Sequence, residues 1–150
     1  MANGLKPKHL IRIAAALMAF HTLGHTMGAL GWKEAPNENV KVVIHGMLTT
    51  HFDFMGRSAT LGQFYEGYGL TMILVLALIS LQLWTLSDDT SNLKATKMLT
   101  FMAVFLILMA SLEYIYFFPF AAAISFLAGV CVIISLVGKK RSGSVPSRVH

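Results

Sequence analysis

Two histidines, His21 and His25, are spaced four residues apart inside the first long apolar stretch of the chain. At this spacing two imidazoles lie on the same face of a helix, where they can chelate one metal ion or exchange a proton with a nearby acid. An ionisable residue is costly in a segment long enough to cross a bilayer, which takes about 20 residues. The pair therefore indicates a polar site inside a membrane protein.

Glu113 is the acid that completes such a site. It is the one acidic residue in the apolar stretch from Thr96 to Gly138. At 1.5 Å per helical residue, Glu113 lies roughly 25 Å from the inner edge, close to the level of His25. A histidine beside a glutamate in a low-dielectric pocket is a general acid–base pair that can move a proton on a lipophilic substrate. The same pair can instead act as a hydrogen bond that holds two helices together.

The stretch from Val40 to Met55 predicts an amphipathic helix that lies in the membrane interface between the first and second spans. Its apolar residues cluster on one side of the helix: Val40, Ile44, Met47, Leu48 and Met55. His51 falls near the centre of that side, so we expect a third imidazole to point into the mouth of the bundle. The glycines that follow favour a flexible lid from Arg57 to Tyr68.

The predicted catalytic residues are thus His21, His25, His51 and Glu113, acting in the outer half of the bilayer on a lipophilic small molecule. Two alternatives stay open. In one, the protein is a redox subunit in which His21, His25 and His51 bind zinc, iron or copper. A haem would instead need His51 or His45 as the axial partner of a histidine of the first span. In the other, the chain is a non-catalytic accessory subunit of a larger membrane complex. The spacing identifies neither cofactor nor substrate.

The composition itself indicates an integral membrane protein. Hydrophobic residues make up 55% of the chain and charged residues 13%, and the mean hydropathy is +0.64. The net charge of +5 is concentrated at the flanks of the apolar segments, which indicates contact with headgroups and argues against a nucleic-acid partner. Cys131 is the single cysteine, so an internal disulfide and a thiolate metal cage are excluded. No serine stands in a Gly-x-Ser-x-Gly motif.

Four membrane spans are predicted, at about residues 10–31, 69–86, 96–118 and 119–138. They give an all-α, four-helix membrane bundle over residues 1–138, followed by a basic tail over residues 139–150. Pro119 divides the last apolar run because proline fits the first turn of a helix and breaks a helix interior. The first run is longer than the core of a signal peptide, and we expect it to be retained.

Lysine and arginine collect at cytoplasmic flanks, and their positions predict the orientation of the chain. They precede the first span, lie between the second and third, and follow the fourth: Lys6, Lys8, Arg12, Lys94, Lys97, Lys139, Lys140, Arg141 and Arg148. Both termini are therefore expected in the cytoplasm, with the bacterial inner membrane as the location. The expected partners are the lipid bilayer, a lipophilic small molecule, and a second copy of the chain or a larger membrane complex.

Overall fold

The computed structural model describes residues 6–90 and 92–142, with the backbone alone for residues 139–142. The elements run in the order α1 (Pro7–Gly31), α2 (Glu38–Thr49), β1 (His51–Phe54), β2 (Arg57–Thr60), α3 (Leu61–Leu86), α4 (Leu93–Tyr116) and α5 (Pro119–Ser142). Within these ranges α1, α3, α4 and α5 are the four helices long and apolar enough to cross a membrane. The predicted all-α class with four long apolar helices is confirmed.

Helix α3 begins at Leu61, well before the predicted start at Gly69, because Thr60 caps it. The Thr60 hydroxyl accepts a hydrogen bond from the backbone N–H of Gln63 at 3.2 Å, and the Gln63 side-chain oxygen accepts one from the Thr60 N–H at 3.1 Å. This reciprocal pair is a capping box, which satisfies two backbone donors at a helix start. The predicted flexible lid from Arg57 to Tyr68 is therefore wrong, since that segment is β2 followed by the first turns of α3.

The predicted amphipathic helix is correct only as far as Thr49. His51–Phe54 pairs antiparallel with Arg57–Thr60 to form a β-hairpin. Its turn, Met55–Gly56, has φ of 50° and 81°, the left-handed values that a type I′ turn requires and that glycine adopts readily. Polar and apolar residues alternate along β1, and this period of two belongs to a strand and not to a helix.

The last two helices are joined by a short link. Helix α4 begins at Leu93, where the Asn92 side chain caps the Lys94 N–H at 2.8 Å, and it ends at Tyr116. Helix α5 begins at Pro119, as predicted, and continues to Ser142. The first residues of the predicted basic tail are thus helical. The rest of that tail, residues 143–150 with Arg148, lies outside the described residues.

One compact unit is formed by the described residues up to His21 and from Ala77 onward. Here α1 buries a stripe at helical spacing, composed of Ile11, Ala14, Ala15, Met18 and His21. The Ser80 hydroxyl of α3 donates to the Ala15 carbonyl of α1 at 2.8 Å. Small residues bring α4 and α5 close together, since a Cβ atom at Gly129 would lie 3.0 Å from the Ile107 side chain.

A charged cluster lies at the end of this unit where α1 begins and α3 ends. Oδ1 of Asp88 lies 2.7 Å from Nζ of Lys8 and 3.2 Å from Nη2 of Arg12. The Arg12 guanidinium also lies 4.7 Å from the centre of the Trp84 ring, a cation–π contact. The hydrogen bond from Lys8, together with its positive charge, holds the pKa of Asp88 below its usual value.

The second compact unit is Thr22–Leu76, which contains the end of α1, all of α2, the hairpin and the start of α3. The side chains of Val40, Ile44 and Met47 are the partly buried side of α2. A Cβ atom at Gly62 would lie 2.9 Å from the Leu48 side chain, so glycine permits the end of α2 to approach α3. The Lys33 ammonium pairs with the Glu66 carboxylate at 3.0 Å.

Candidate functional site

The centre of the candidate site is a buried pair formed by His21 and Glu113. Nε2 of His21 lies 3.6 Å from Oε1 of Glu113, and the two residues are 7% and 8% exposed. His21 is the last member of the buried stripe of α1, and Glu113 ends the buried stripe of α4. Each side chain is therefore held on a packed helix face that also bears small or aliphatic residues.

Ser125 of α5 adds a third polar group, and sequence analysis missed it. Its hydroxyl lies 3.2 Å from Nδ1 of His21, and the residue is fully buried. The imidazole thus has one ring nitrogen toward a carboxylate and the other toward a hydroxyl. The signal in the sequence is weak, because Ser125 lies in a stripe of small residues (Ala121, Ala122, Ala128 and Gly129) that is typical of helix packing alone.

The second carboxyl oxygen of Glu113 is the unusual atom of this cluster. Oε2 is buried and has no hydrogen-bond partner among the described residues. Buried polar atoms are almost always hydrogen-bonded, because desolvating one without a partner costs about 1–3 kcal/mol. This oxygen can therefore take a further hydrogen bond, and the Ser125 hydroxyl also lies beside the Glu113 carboxyl.

His25 has a different partner from His21, although both lie on α1. Its Nε2 is 3.2 Å from the carbonyl oxygen of Gly69, and the side chain is partly buried. The depth estimate from the sequence paired Glu113 with His25, but the histidine beside Glu113 is His21, one turn earlier. Counting residues assumes that two helices start at one level and run parallel, so it does not determine which of two histidines one turn apart lies beside a given acid. A catalytic role for His25 stays a prediction.

His51 lies at the start of β1 and is exposed. Its Nδ1 is 2.9 Å from the carbonyl oxygen of Thr49, so the ring folds back onto the end of α2. The sequence predicts His51 on the buried side of a helix that extends to Met55. Helix α2 ends at Thr49, so His51 does not lie on it. His51 is thus held by a local contact with the end of α2.

The metal alternative has no preformed site in the described part of the chain. No group of three or more His, Cys, Asp or Glu side chains lies close enough together there to hold a metal ion. His21, His25 and His51 have the separate local partners named above. Glu113 and His21 together supply two ligands, fewer than the three protein ligands of a catalytic zinc site.

A groove of about 480 Å³ runs between α4 and α5, and its lining does not include His21, Glu113 or Ser125. It is mostly apolar, and its lining includes Ala110, Ala122, Ala123 and Phe126. Ala110 precedes Glu113 by one helical turn, and Ala122 precedes Ser125 by the same step. An apolar surface on this unit thus lies one turn away from its buried polar groups.

No protein-family model, curated protein or solved structure matches this chain.

Proposed function

We propose that this is a small membrane protein that binds a lipophilic molecule through a polar group of that molecule and exchanges a proton with it at Glu113. The observation that carries the proposal is the buried Oε2 of Glu113, which lacks a hydrogen-bond partner among the described residues. A purely structural carboxyl group in a helix interface would be expected to have both oxygens satisfied.

In this proposal the side chains of Glu113, His21 and Ser125 have different roles. Oε2 of Glu113 binds the polar group of the ligand and takes up or releases the proton. His21 contacts the other carboxyl oxygen at 3.6 Å and stabilises the carboxylate when the proton has left. Ser125 contacts the far ring nitrogen at 3.2 Å, which orients the imidazole toward Glu113. His21 and Ser125 are thus positioning residues, and Glu113 is the group that touches the ligand.

The groove between α4 and α5 supports a lipophilic ligand. Its volume of about 480 Å³ lies in the range of small-molecule sites, roughly 300–1,000 Å³. Its rim includes the exposed Ala123 and Phe126, and its inner wall includes the buried Ala110 and Ala122. The groove residue Ala110 lies one helical turn before Glu113 on α4. A ligand whose hydrocarbon chain occupies the groove must therefore extend by one turn along α4 for its polar end to reach the level of Glu113.

The proposal is tested with three probes that share a dodecyl chain: dodecylamine, dodecanol and dodecane. The full-length protein is held in nanodiscs, and the midpoint temperature Tm of unfolding is measured with and without each probe. We expect the amine and the alcohol to raise Tm of the wild type, whereas dodecane leaves it unchanged. Glu113→Gln should abolish the shift with the amine, because it removes the titratable group at nearly constant volume.

Thr100→Val is the matched control, since Thr100 is an exposed α4 residue whose hydroxyl bonds to its own helix at Thr96. This variant should keep the full response to the amine. Equal shifts with all three probes, or an unchanged response in Glu113→Gln, would refute the proposal. The proposal includes a bacterial inner membrane as the location, and the distribution of lysine and arginine supports an orientation with both termini in the cytoplasm.

A further inference from the structure

A second pocket, of about 360 Å³, lies between the hairpin and the start of α3, far along the chain from His21 and Glu113. Phe54, Arg57 and Ala59 line it from the hairpin, and Gln63, Phe64, Gly67, Tyr68 and Thr71 line it from α3. Side chains alternate between the faces of a strand, and the pairing register puts Phe54 directly opposite Arg57. One face of the hairpin therefore supplies an aromatic ring and a guanidinium to the same cavity.

The polar lining of this pocket is suited to an anion. Arg57 forms no ion pair with any residue that the structure describes. The neighbouring acid Glu66 is paired with Lys33 at 3.0 Å, and Glu38 is paired with Lys41 at 3.3 Å. Asp53 lies on the opposite face of β1, since it pairs in register with Ser58. No residue that lines the pocket is acidic.

The apolar part of the lining indicates that the ligand carries a hydrocarbon chain in addition to its anionic group. Phe64 makes an edge-on contact with Phe54, at 5.5 Å between ring centres, and a stacked contact with Phe52, at 5.9 Å. Phe54, Phe64 and Tyr68 line the same pocket as Arg57 and form its apolar wall. An anion of low molecular mass would leave that wall exposed, whereas an amphiphile would cover it.

The length and composition of α3 lead us to expect this pocket at the depth of lipid headgroups. Helix α3 has 26 residues and is about 39 Å long at 1.5 Å per residue, more than the roughly 30 Å of a hydrocarbon core. The first turns contain Gln63, Tyr65, Glu66 and Tyr68, whereas the rest of α3 has no ionisable residue, so we assign the excess length to the first turns. Tyrosine is enriched at this level of a bilayer.

We propose that the pocket between the hairpin and α3 binds the headgroup of an anionic phospholipid, with Arg57 on the phosphate and the aromatic wall along the start of an acyl chain. A guanidinium matches a phosphate with two parallel hydrogen bonds, and a hydrogen bond to a charged group is stronger than a neutral one. The amide of Gln63 and the hydroxyl of Thr71 lie in the same lining and supply further donors.

Two variants test this proposal on the intact chain, by native mass spectrometry in detergent with phosphatidylglycerol and phosphatidylcholine of equal chain length. The wild type should bind phosphatidylglycerol more tightly. Arg57→Gln should lose roughly tenfold in affinity for phosphatidylglycerol, as expected for one charge-assisted contact. Gly67→Leu should weaken binding of both lipids, because a Cβ at Gly67 meets nothing within 4 Å and a leucine there extends into the pocket.

Lys41→Gln and Gly46→Leu are the controls, since they make the same kinds of change on α2, outside the pocket lining. Gly46 likewise has open space where a Cβ atom would lie. Both controls should bind phosphatidylglycerol like the wild type. An equal loss in Lys41→Gln would show a nonspecific charge effect and overturn the proposal. Displacement of the lipid by inorganic phosphate alone would assign the pocket to a free anion and overturn it as well.

Discussion

A Cβ atom at Gly69 would lie 3.1 Å from the Cβ of Ala29, so α1 and α3 are in close contact at this point of the second unit. The same residue accepts the contact from His25 through its carbonyl oxygen at 3.2 Å. Small residues at a helix interface allow such close approach, and the backbone carbonyl then becomes accessible to a side chain of the neighbouring helix.

Gly69→Val should destabilise the protein by about 1–3 kcal/mol, the usual cost of overpacking. The control is Gly67→Val, two residues earlier on the same helix, where a Cβ meets nothing within 4 Å. The two variants share the same change in helix propensity, so their difference isolates the contact with Ala29. The free energy of unfolding in mixed micelles measures it, and equal values for both variants would contradict the prediction.

Ser125→Ala should cost about 0.6 kcal/mol and no more than about 1.7 kcal/mol, the range for hydrogen bonds between membrane helices. The variant removes the hydroxyl that lies 3.2 Å from Nδ1 of His21. Ser111→Ala serves as the comparison, because the exposed Ser111 bonds to its own helix at Ile107. Its unfolding free energy should stay within about 0.5 kcal/mol of the wild type. A larger loss in Ser111→Ala than in Ser125→Ala would count against the assigned contact.

Thr60→Val should fray the start of α3, because it removes the hydroxyl that caps the Gln63 N–H. The loss of such a cap costs about 1 kcal/mol. Hydrogen–deuterium exchange should increase at Leu61–Phe64 and remain unchanged in α4. Thr60→Ser keeps the hydroxyl and should restore protection to the wild-type level. Unchanged exchange in Thr60→Val would mean that the hairpin alone holds the helix start.

Acid should weaken the cluster of Lys8, Arg12 and Asp88. The folded-state pKa of Asp88 is below its usual value, so its carboxylate contributes stability above that usual value and loses the contribution as pH falls through the lower, folded-state pKa. Stability of the wild type and of Asp88→Asn, followed from neutral pH into this acidic range, should converge at the acid end. High salt should reduce the difference at neutral pH, since Asp88 is exposed. A constant difference across pH would contradict the assignment.

Much of the architecture follows from two simple signals in the sequence. Long uninterrupted apolar runs predicted the four helices, and Pro119 divided the last run at the correct residue. The hairpin was missed because Val40–Met55 contains enough apolar residues to fit a helical stripe, whereas the strand signal is confined to four residues, His51–Phe54. The capping box of Thr60 and Gln63 is visible in the sequence, but the glycines that follow it favoured a loop.

The buried site could be predicted in part. Glu113 and His21 stood out because ionisable residues are rare inside apolar helices. Which histidine would lie beside Glu113 could not be read from the sequence, since helix spacing places His21 and His25 on one face and their depths differ by a single turn. Ser125 had no such signal, because a serine hydroxyl can bond to its own helix and is common at small-residue interfaces.

Only Phe117 and Phe118 separate α4 from α5, so these two helices form a hairpin that is continuous in sequence and in space. Two helices joined in this way can insert into a membrane as a pair, so that both move from the translocon into the lipid together. The energetic penalty for transferring Glu113 is then shared with α5, which has the highest hydropathy of the four spans at 2.6. A two-residue link between neighbouring helices would thus let a strongly apolar helix compensate for an acid in its neighbour when the pair enters a bilayer together.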